Sequence, residues 1–292
     1  MEDTPSTMKP AQVAQLMVDY AVAKHRDRYE SIFFKAFAAG IMLSFGGILS
    51  EVIQGGAGGL NASNPGIVKI LGGAVFPVGL IMIVLQGQEL LTSNMLYFPM
   101  ALCKRAVPVW SLCVNWLIVF FGNLAGSLFF AAILVHYTGI VSVEPYSDFI
   151  RSFAIHKAKD PHWHQIFLRG IACNWLVSVA VWQAAGAKDT ISKIIAVWIP
   201  IFIFVACGYD HVIANMFSVP LGIIFGADLT VAQYIRKSLF AALFGNIVGA
   251  LFVGLPASYM YLSDWGTGPY RAAERGESVS KASSSSGETK RH

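Results

Sequence analysis

The chain has 292 residues, of which 55% are hydrophobic and 13% charged, with a formal net charge of +4 and a mean hydropathy of +0.57. A soluble domain carries about 25% charged residues, and the apolar residues here come in long runs rather than in the short alternating segments of a membrane β-barrel. Soluble enzymes, nucleic-acid binders with a basic stripe and β-barrels are thereby excluded, which leaves an all-α membrane protein.

Residues 1–30 form a polar cytoplasmic N-terminal segment. Within it Val13, Leu16, Met17, Tyr20 and Val22 recur at near-helical spacing, so an amphipathic helix is expected from Pro10 to Tyr29. The leading residues are too polar for a cleavable signal peptide, and the first span is expected to do the targeting. Six apolar units follow, at about 32–54, 67–103, 109–136, 165–187, 191–226 and 233–262, and a six-helix domain is drawn over residues 31–263. Residues 264–292 are rich in Gly, Ser and charge, including Ser283 to Ser286, and are expected to be a disordered cytoplasmic tail.

Units two and five are anomalous. A spanning helix needs about 20 residues, so each unit is too long for one span and too short for two spans with a loop. Polar residues interrupt both, at Gly87-Gln88-Glu89 and at Gly208-Tyr209-Asp210-His211. The two interruptions are related: Gly87-Gln88-Glu89-Leu90-Leu91-Thr92-Ser93-Asn94-Met95 aligns with Gly208-Tyr209-Asp210-His211-Val212-Ile213-Ala214-Asn215-Met216. One unit further on, Phe121-Gly122-Asn123-Leu124-Ala125-Gly126 matches Phe244-Gly245-Asn246-Ile247-Val248-Gly249. The nearly equal offsets point to an internal duplication. Three spans per repeat turn the second repeat upside down in the membrane. The expected fold class is therefore six transmembrane helices in two inverted three-helix repeats, with helices 2 and 5 broken. That is a transporter and channel architecture, because irregular backbone at membrane depth is tolerated only beside a protein-lined polar path.

With the N-terminus inside, 14 of the 21 Lys and Arg fall on the cytoplasmic side and 7 outside. This bias puts both termini in the cytosol. Arg151, Lys157, Lys159 and Arg169 run against it.

His211 is the most informative residue. An ionisable group in mid-span costs about 2.5–3.5 kcal/mol when charged, and a reference pKa of roughly 6.5 suits it to proton coupling. Asp210 beside it superficially suggests a catalytic dyad, but neighbouring helical residues do not face each other. Neither a Gly-x-Ser-x-Gly nor a His-Glu-x-x-His pattern is present, so no enzyme is expected. Glu89 and Asp210, equivalent in the repeats, are expected to cap the free N–H groups of the second half-helices. Those helix ends would draw an anion toward the membrane centre. Thr92 and Ser93 offer hydroxyls in the same break. Asn174 is a lone amide in an apolar helix, suited to holding helices together or to donating toward His211. Phe76, Leu80, Leu90, Leu91, Val177 and Phe204 read simply as core. Lys157 and Lys159, with His156, His162 and His164, form either an anion-concentrating vestibule or a solvated loop. The four cysteines show no metal-ligand spacing, and neither a metal nor a cofactor is expected.

Phe76 to Asn94, the run Phe167-Leu168-Arg169-Gly170-Ile171-Ala172-Cys173-Asn174-Trp175-Leu176-Val177, and Asp210-His211-Val212-Ile213-Ala214-Asn215-Met216 together resemble the formate/nitrite transporter family. The resemblance covers roughly residues 30–262, and the tails make a fungal nitrite transporter the nearest kind of member. It implies a homopentamer of aquaporin-like protomers, each with its own pore, in which His211 is the central histidine and Asn174 its polar companion. It brings Leu90, Leu91 and Thr92 to the pore, and it turns the core residues into two constrictions: Phe76, Leu91 and Val177 in one, Leu80, Leu90 and Phe204 in the other. Two departures stand out. Leu91 occupies the usual Phe position, and the family's vestibule lysine falls between Lys157 and Lys159. The function implied is proton-coupled transport of a small monovalent anion, foremost nitrite, across the plasma membrane. Formate or lactate transport, or a passive pore for small neutral solutes, are the alternatives. Implied partners are the anion, the proton, the bilayer and further copies of the chain, with no nucleic acid.

Overall fold

The computed structural model of the protein describes residues 6–262, so the tail expected over 264–292 lies outside the described residues. An amphipathic helix α1 (Pro10–Arg26) precedes the long α2 (Tyr29–Gly56) and a short α3 (Gly58–Ser63). A kinked pair follows, α4 (Pro65–Val75) and α5 (Val78–Gln86), and then the half-length α6 (Leu91–Cys103). Helix α7 (Val109–Phe129) continues in wider π turns to His136, and a surface helix α8 (Tyr146–Ala158) comes next. The second half runs through α9 (Trp163–Gly186), α10 (Thr190–Cys207) and the half-length α11 (Val212–Ile224). One turn, α12 (Val231–Gln233), leads through π turns into α13 (Phe240–Tyr261).

Among the described residues six helices are long and apolar enough to cross a membrane: 29–56, 65–86, 109–136, 163–186, 190–207 and 231–261. Units two and five each resolve into one span plus a half-helix, which explains their intermediate length. The breaks start at glycine for a conformational reason. Gly87 and Gly208 take φ of +65° and +79°, the left-handed region where a Cβ is strained. In both breaks the chain turns back on its own helix, with the amide of Gln88 donating to the Ile83 carbonyl at 3.0 Å and that of Tyr209 to Phe204 at 3.0 Å. Both half-helices also carry a proline at the same place, Pro99 and Pro220.

The Gly-Asn-x-x-Gly matches in α7 and α13 are packing surfaces. A Cβ on Gly126 would strike the Phe37 carbonyl of α2, and one on Gly249 the Ile171 carbonyl of α9. Small residues at these points let the helix backbones meet, the usual basis of tight helix pairs in lipid. The opposite faces expose Leu117, Phe121, Leu168, Trp175 and Phe252, as a surface turned to lipid or to another protomer requires.

Two features go beyond the sequence reading. The N-terminal helix is packed into the protein: Val13, Ala14, Met17, Val18 and Ala21 of α1 are buried with Leu96, Tyr97 and Met100 of α6. The stretch read as a basic outer loop contains α8, which packs on α11 as α1 packs on α6. Each repeat is therefore an amphipathic helix followed by three spans.

Candidate functional site

The site is assembled at the two breaks. In the first, the Asn123 carboxamide from α7 accepts from the Leu91 amide at 3.0 Å and donates to the Ala36 and Glu89 carbonyls at 2.8 and 2.9 Å. In the second, Asn246 from α13 accepts from the Val212 amide at 2.9 Å and donates to the Gly170 and Asp210 carbonyls, both at 2.9 Å. Each amide thus ties a half-helix to the first span of its own repeat. The sequence reading used both residues as markers of the duplication and missed this role. Their place in an apolar helix, where an unpartnered amide is expensive, was the available signal.

Glu89 and Asp210 do not cap the half-helices. Leu90 and His211 are the N-cap residues, so the acids lie one position too early and reach sideways. Glu89 pairs with Lys24 of α1 and accepts from Asn94 at 2.8 Å. Asp210 pairs with Lys157 of α8 at 3.1 Å and accepts weakly from Asn215 at 3.4 Å. The free N–H groups go instead to Asn123, to Asn246 and to the His211 ring, whose Nδ1 accepts from the Ala214 amide at 3.1 Å.

That last bond fixes the tautomer. With Nδ1 an acceptor, a neutral imidazole carries its hydrogen on Nε2, and Nε2 lies 2.9 Å from Thr92 Oγ1. His211 therefore donates to Thr92 and leaves the threonine hydroxyl hydrogen available to something else. This contact joins the two repeats at their breaks, and both residues are buried. Asn174 is close by but not bonded to His211: its amide donates to the Thr92 and Asn246 carbonyls at 3.2 and 2.8 Å. It stabilises the backbone under Thr92, and its own carbonyl oxygen has no hydrogen-bond partner among the described residues.

Two cavities flank this centre. The one beside α1, about 300 Å³, is lined by Lys24, Gly87, Gln88, Ser93, Asn94 and Tyr97. The one beside α8, about 270 Å³, is lined by Lys157, Gly208, Tyr209, Ala214, Asn215 and Ser218, together with His211. These sets correspond residue for residue under the duplication, with Leu90 standing where the second repeat has His211. Lys157 is the lysine that serves its break, reaching the Gly208 and Tyr209 carbonyls at 3.1 and 3.0 Å as well as Asp210. Lys159 faces away, to Asp228 at 2.5 Å. Its charge and the Arg151 pairing with Glu144 and Asp148 account for part of the positive charge that opposed the orientation bias.

The apolar residues share one buried cluster: Leu80, Leu90, Leu91 and Val177 are buried with Phe76 and Phe204. The Phe76 and Phe204 rings meet edge-on at 5.6 Å, and Phe204 stacks on His211 at 5.8 Å. These two phenylalanines, placed in different constrictions by the resemblance, are direct neighbours at the inner end of the α8-side cavity. Close apolar packing of this kind opposes a bare anion, so the geometry offers two lysine-bearing cavities, a hydrogen-bonded Thr92–His211 centre and a cluster of buried apolar side chains.

Residues 11–259 match the formate/nitrite transporter family profile. The chain is 37% identical over 274 residues to a probable formate transporter of Methanothermobacter thermautotrophicus, covering 89% of this chain and 99% of that one. It is 37% identical over 253 residues to a formate channel of Bacillus thuringiensis, covering 84% and 93%. A pentameric formate channel with formate bound superimposes with a TM-score of 0.70 at 30% identity, over 80% of this chain and 98% of that one. An ion channel of the same family gives 0.77 at 25% identity, over 87% and 99%. With six spans, two broken helices and this likeness along nearly its whole described length, the chain is a multi-pass membrane transporter, not an enzyme, and belongs to the formate/nitrite transporter family.

Proposed function

We propose that the protein carries out proton-coupled transport of a small monovalent anion, with nitrite the foremost substrate, through a pore in each protomer of a homopentamer. The observation that carries this reading is the Thr92–His211 contact, placed between two lysine-bearing cavities and beside an apolar seal. Lys24 and Lys157 attract the anion into either cavity. The seal opposes its charge, so the anion gains a proton before it crosses and gives it up on the far side. A neutral His211 suits this passage, since it needs only to orient the Thr92 hydroxyl toward the substrate. A permanently charged ring would forfeit the bond from Ala214. Flux is then driven by the pH gradient and is faster when the α8 side, taken as the outside, is acidic.

Residues 6–262 function as one transport unit in this reading, with both termini in the cytosol and the protein in the plasma membrane. Assembly into pentamers is supported by the pentameric channel that it resembles. A relation to fungal transporters is supported by 33% identity over 252 residues to an uncharacterized transporter of Saccharomyces cerevisiae, covering 86% of this chain and 40% of that one. Formate as the principal substrate is the second reading, favoured by the relatives named as formate channels and transporters. Uptake of nitrite, formate and lactate into proteoliposomes, with and without a pH gradient, ranks the substrates. Gradient-driven anion flux is expected, and its absence from well-assembled protein refutes the proposal.

A further inference from the structure

The two cavities correspond by sequence register, and the residues at matched positions differ in chemistry. In the α1-side cavity the first span of the second repeat contributes Val181, Ala184 and Ala185. Asn123 and Asn246 tie their breaks to Ala36 and Gly170, which sets the register between α2 and α9. Carried along both helices, this register pairs Val181 with Gly47, Ala184 with Ser50 and Ala185 with Glu51, the residues that line the α8-side cavity. A carboxyl group therefore occupies one cavity at the position where the other has a methyl.

Glu51 is 3% exposed, and neither carboxyl oxygen has a hydrogen-bond partner among the described residues. Ser218 lies beside it without a bond of normal geometry. The cations that share the cavity are engaged or exposed: Lys157 is held by Asp210, His156 by Asp160, and Lys69 is open to the surface, with no ion pair to Glu51 among the described residues. Tyr209 and His211 are the other titratable groups on its wall, and Arg151 of the facing α8 is paired with Glu144 and Asp148. The π-helical end of α7 offers only His136, which is packed on Phe225. A buried carboxylate without a counter-charge is costly, whereas the neutral acid is tolerated and holds a hydrogen that can be donated.

We infer that Glu51 is an anion-binding residue of the α8-side cavity: its neutral carboxyl donates a hydrogen bond to the entering anion, and its ionised form turns anions away. This rests on the transport reading above and deepens it. Glu51 and His211 both lie on the α8 side, while the positions that correspond to them, Ala185 and Leu90, carry no titratable group. Proton sensing through this carboxyl is therefore confined to the α8 face.

Glu51→Gln keeps the donor and removes the charge. Initial uptake of labelled formate into proteoliposomes is measured for wild type and E51Q from about pH 5 to about pH 8 on the α8 side. Rates within about twofold are expected at the acid end, with E51Q about three- to tenfold faster at the alkaline end, where a like charge no longer faces the anion. A profile parallel to that of an active wild type, or flux lost at every pH from assembled E51Q, overturns the Glu51 assignment and leaves the transport reading intact. No flux from wild type overturns both. If E51Q does not assemble on size-exclusion chromatography, infrared spectra of the wild type decide. A carboxylic C=O band that shifts on adding formate and disappears at alkaline pH is expected, and an unresponsive band refutes the inference.

Discussion

Removing the Asn246 side chain tests the tie that sets the second break. Asn246→Ala leaves the Val212 amide without its acceptor and the Asp210 and Gly170 carbonyls without these donors, all three bonds being 2.9 Å long and buried. Each orphaned buried group costs about 1–3 kcal/mol. The Gly170 carbonyl keeps its helical partner in α9, so the loss is weighted toward Val212 and Asp210 and totals about 3–5 kcal/mol. For a chain of this size 1 kcal/mol moves the midpoint by about 2–4 °C, and a fall of about 10 °C is expected in detergent thermal unfolding. Asn123→Ala breaks the equivalent bonds and should fall by a similar amount. Asn246→Asp keeps the acceptor for Val212 but sets a carboxylate against two carbonyl oxygens, so it should be no more stable than the alanine variant. A midpoint for N246A within about 3 °C of wild type, or N246D clearly above N246A, refutes the reasoning.

Lys157→Met strands Asp210, which is 0% exposed, and should destabilise by about 3–5 kcal/mol; adding Asp210→Asn should recover much of the lost midpoint. Thr92→Val takes away the acceptor of the His211 Nε2–H and the hydroxyl offered to substrate, so anion uptake should drop by at least about tenfold while the half-helices stay in place, costing about 1–3 kcal/mol. A T92V variant with wild-type uptake would remove Thr92 from the path. Gly126→Ala should cost more than about 2 kcal/mol through collision with the Phe37 carbonyl. Gly87→Ala, which has open space around its Cβ, should lose only about 1 kcal/mol of backbone strain, an ordering that thermal midpoints read directly. Outside the membrane, the Ser147 hydroxyl and the Asp148 amide hold the Glu144 carboxyl down at about 2. Because the folded value is depressed, its contribution is complete above the usual carboxylate range near 4.5 and fades as pH falls toward about 2. Hydrogen exchange at the Asp148 amide should therefore stay slow in mild acid, and loss of protection already at about pH 4 would contradict this.

Much of this protein is legible without coordinates. Long apolar runs specify spans because lipid cannot satisfy a backbone, and the paired Gly-x-acid breaks are visible because a helix must end where its hydrogen bonding ends. The duplication at Asn94 and Asn215, and at Asn123 and Asn246, carries the inverted topology, and His211 is conspicuous because a titratable group in such surroundings is expensive. The α8 helix was hidden, since a short amphipathic helix in a basic loop has the composition of the loop. What each acid pairs with, which lysine faces the break and whether Asn174 touches His211 depend on side chains brought together from segments about 50 to 120 residues apart. Sequence periodicity reports the faces of a helix but not its partners, so Lys157 and Lys159 look alike until α8 docks and turns one toward Asp210 and the other toward Asp228. Glu51 shows the same limit from the other side. In the sequence it is one more residue near the end of a span, and only the packing of α2 against α4, α8 and α11 makes it a buried carboxyl with no hydrogen-bond partner of normal geometry among the described residues.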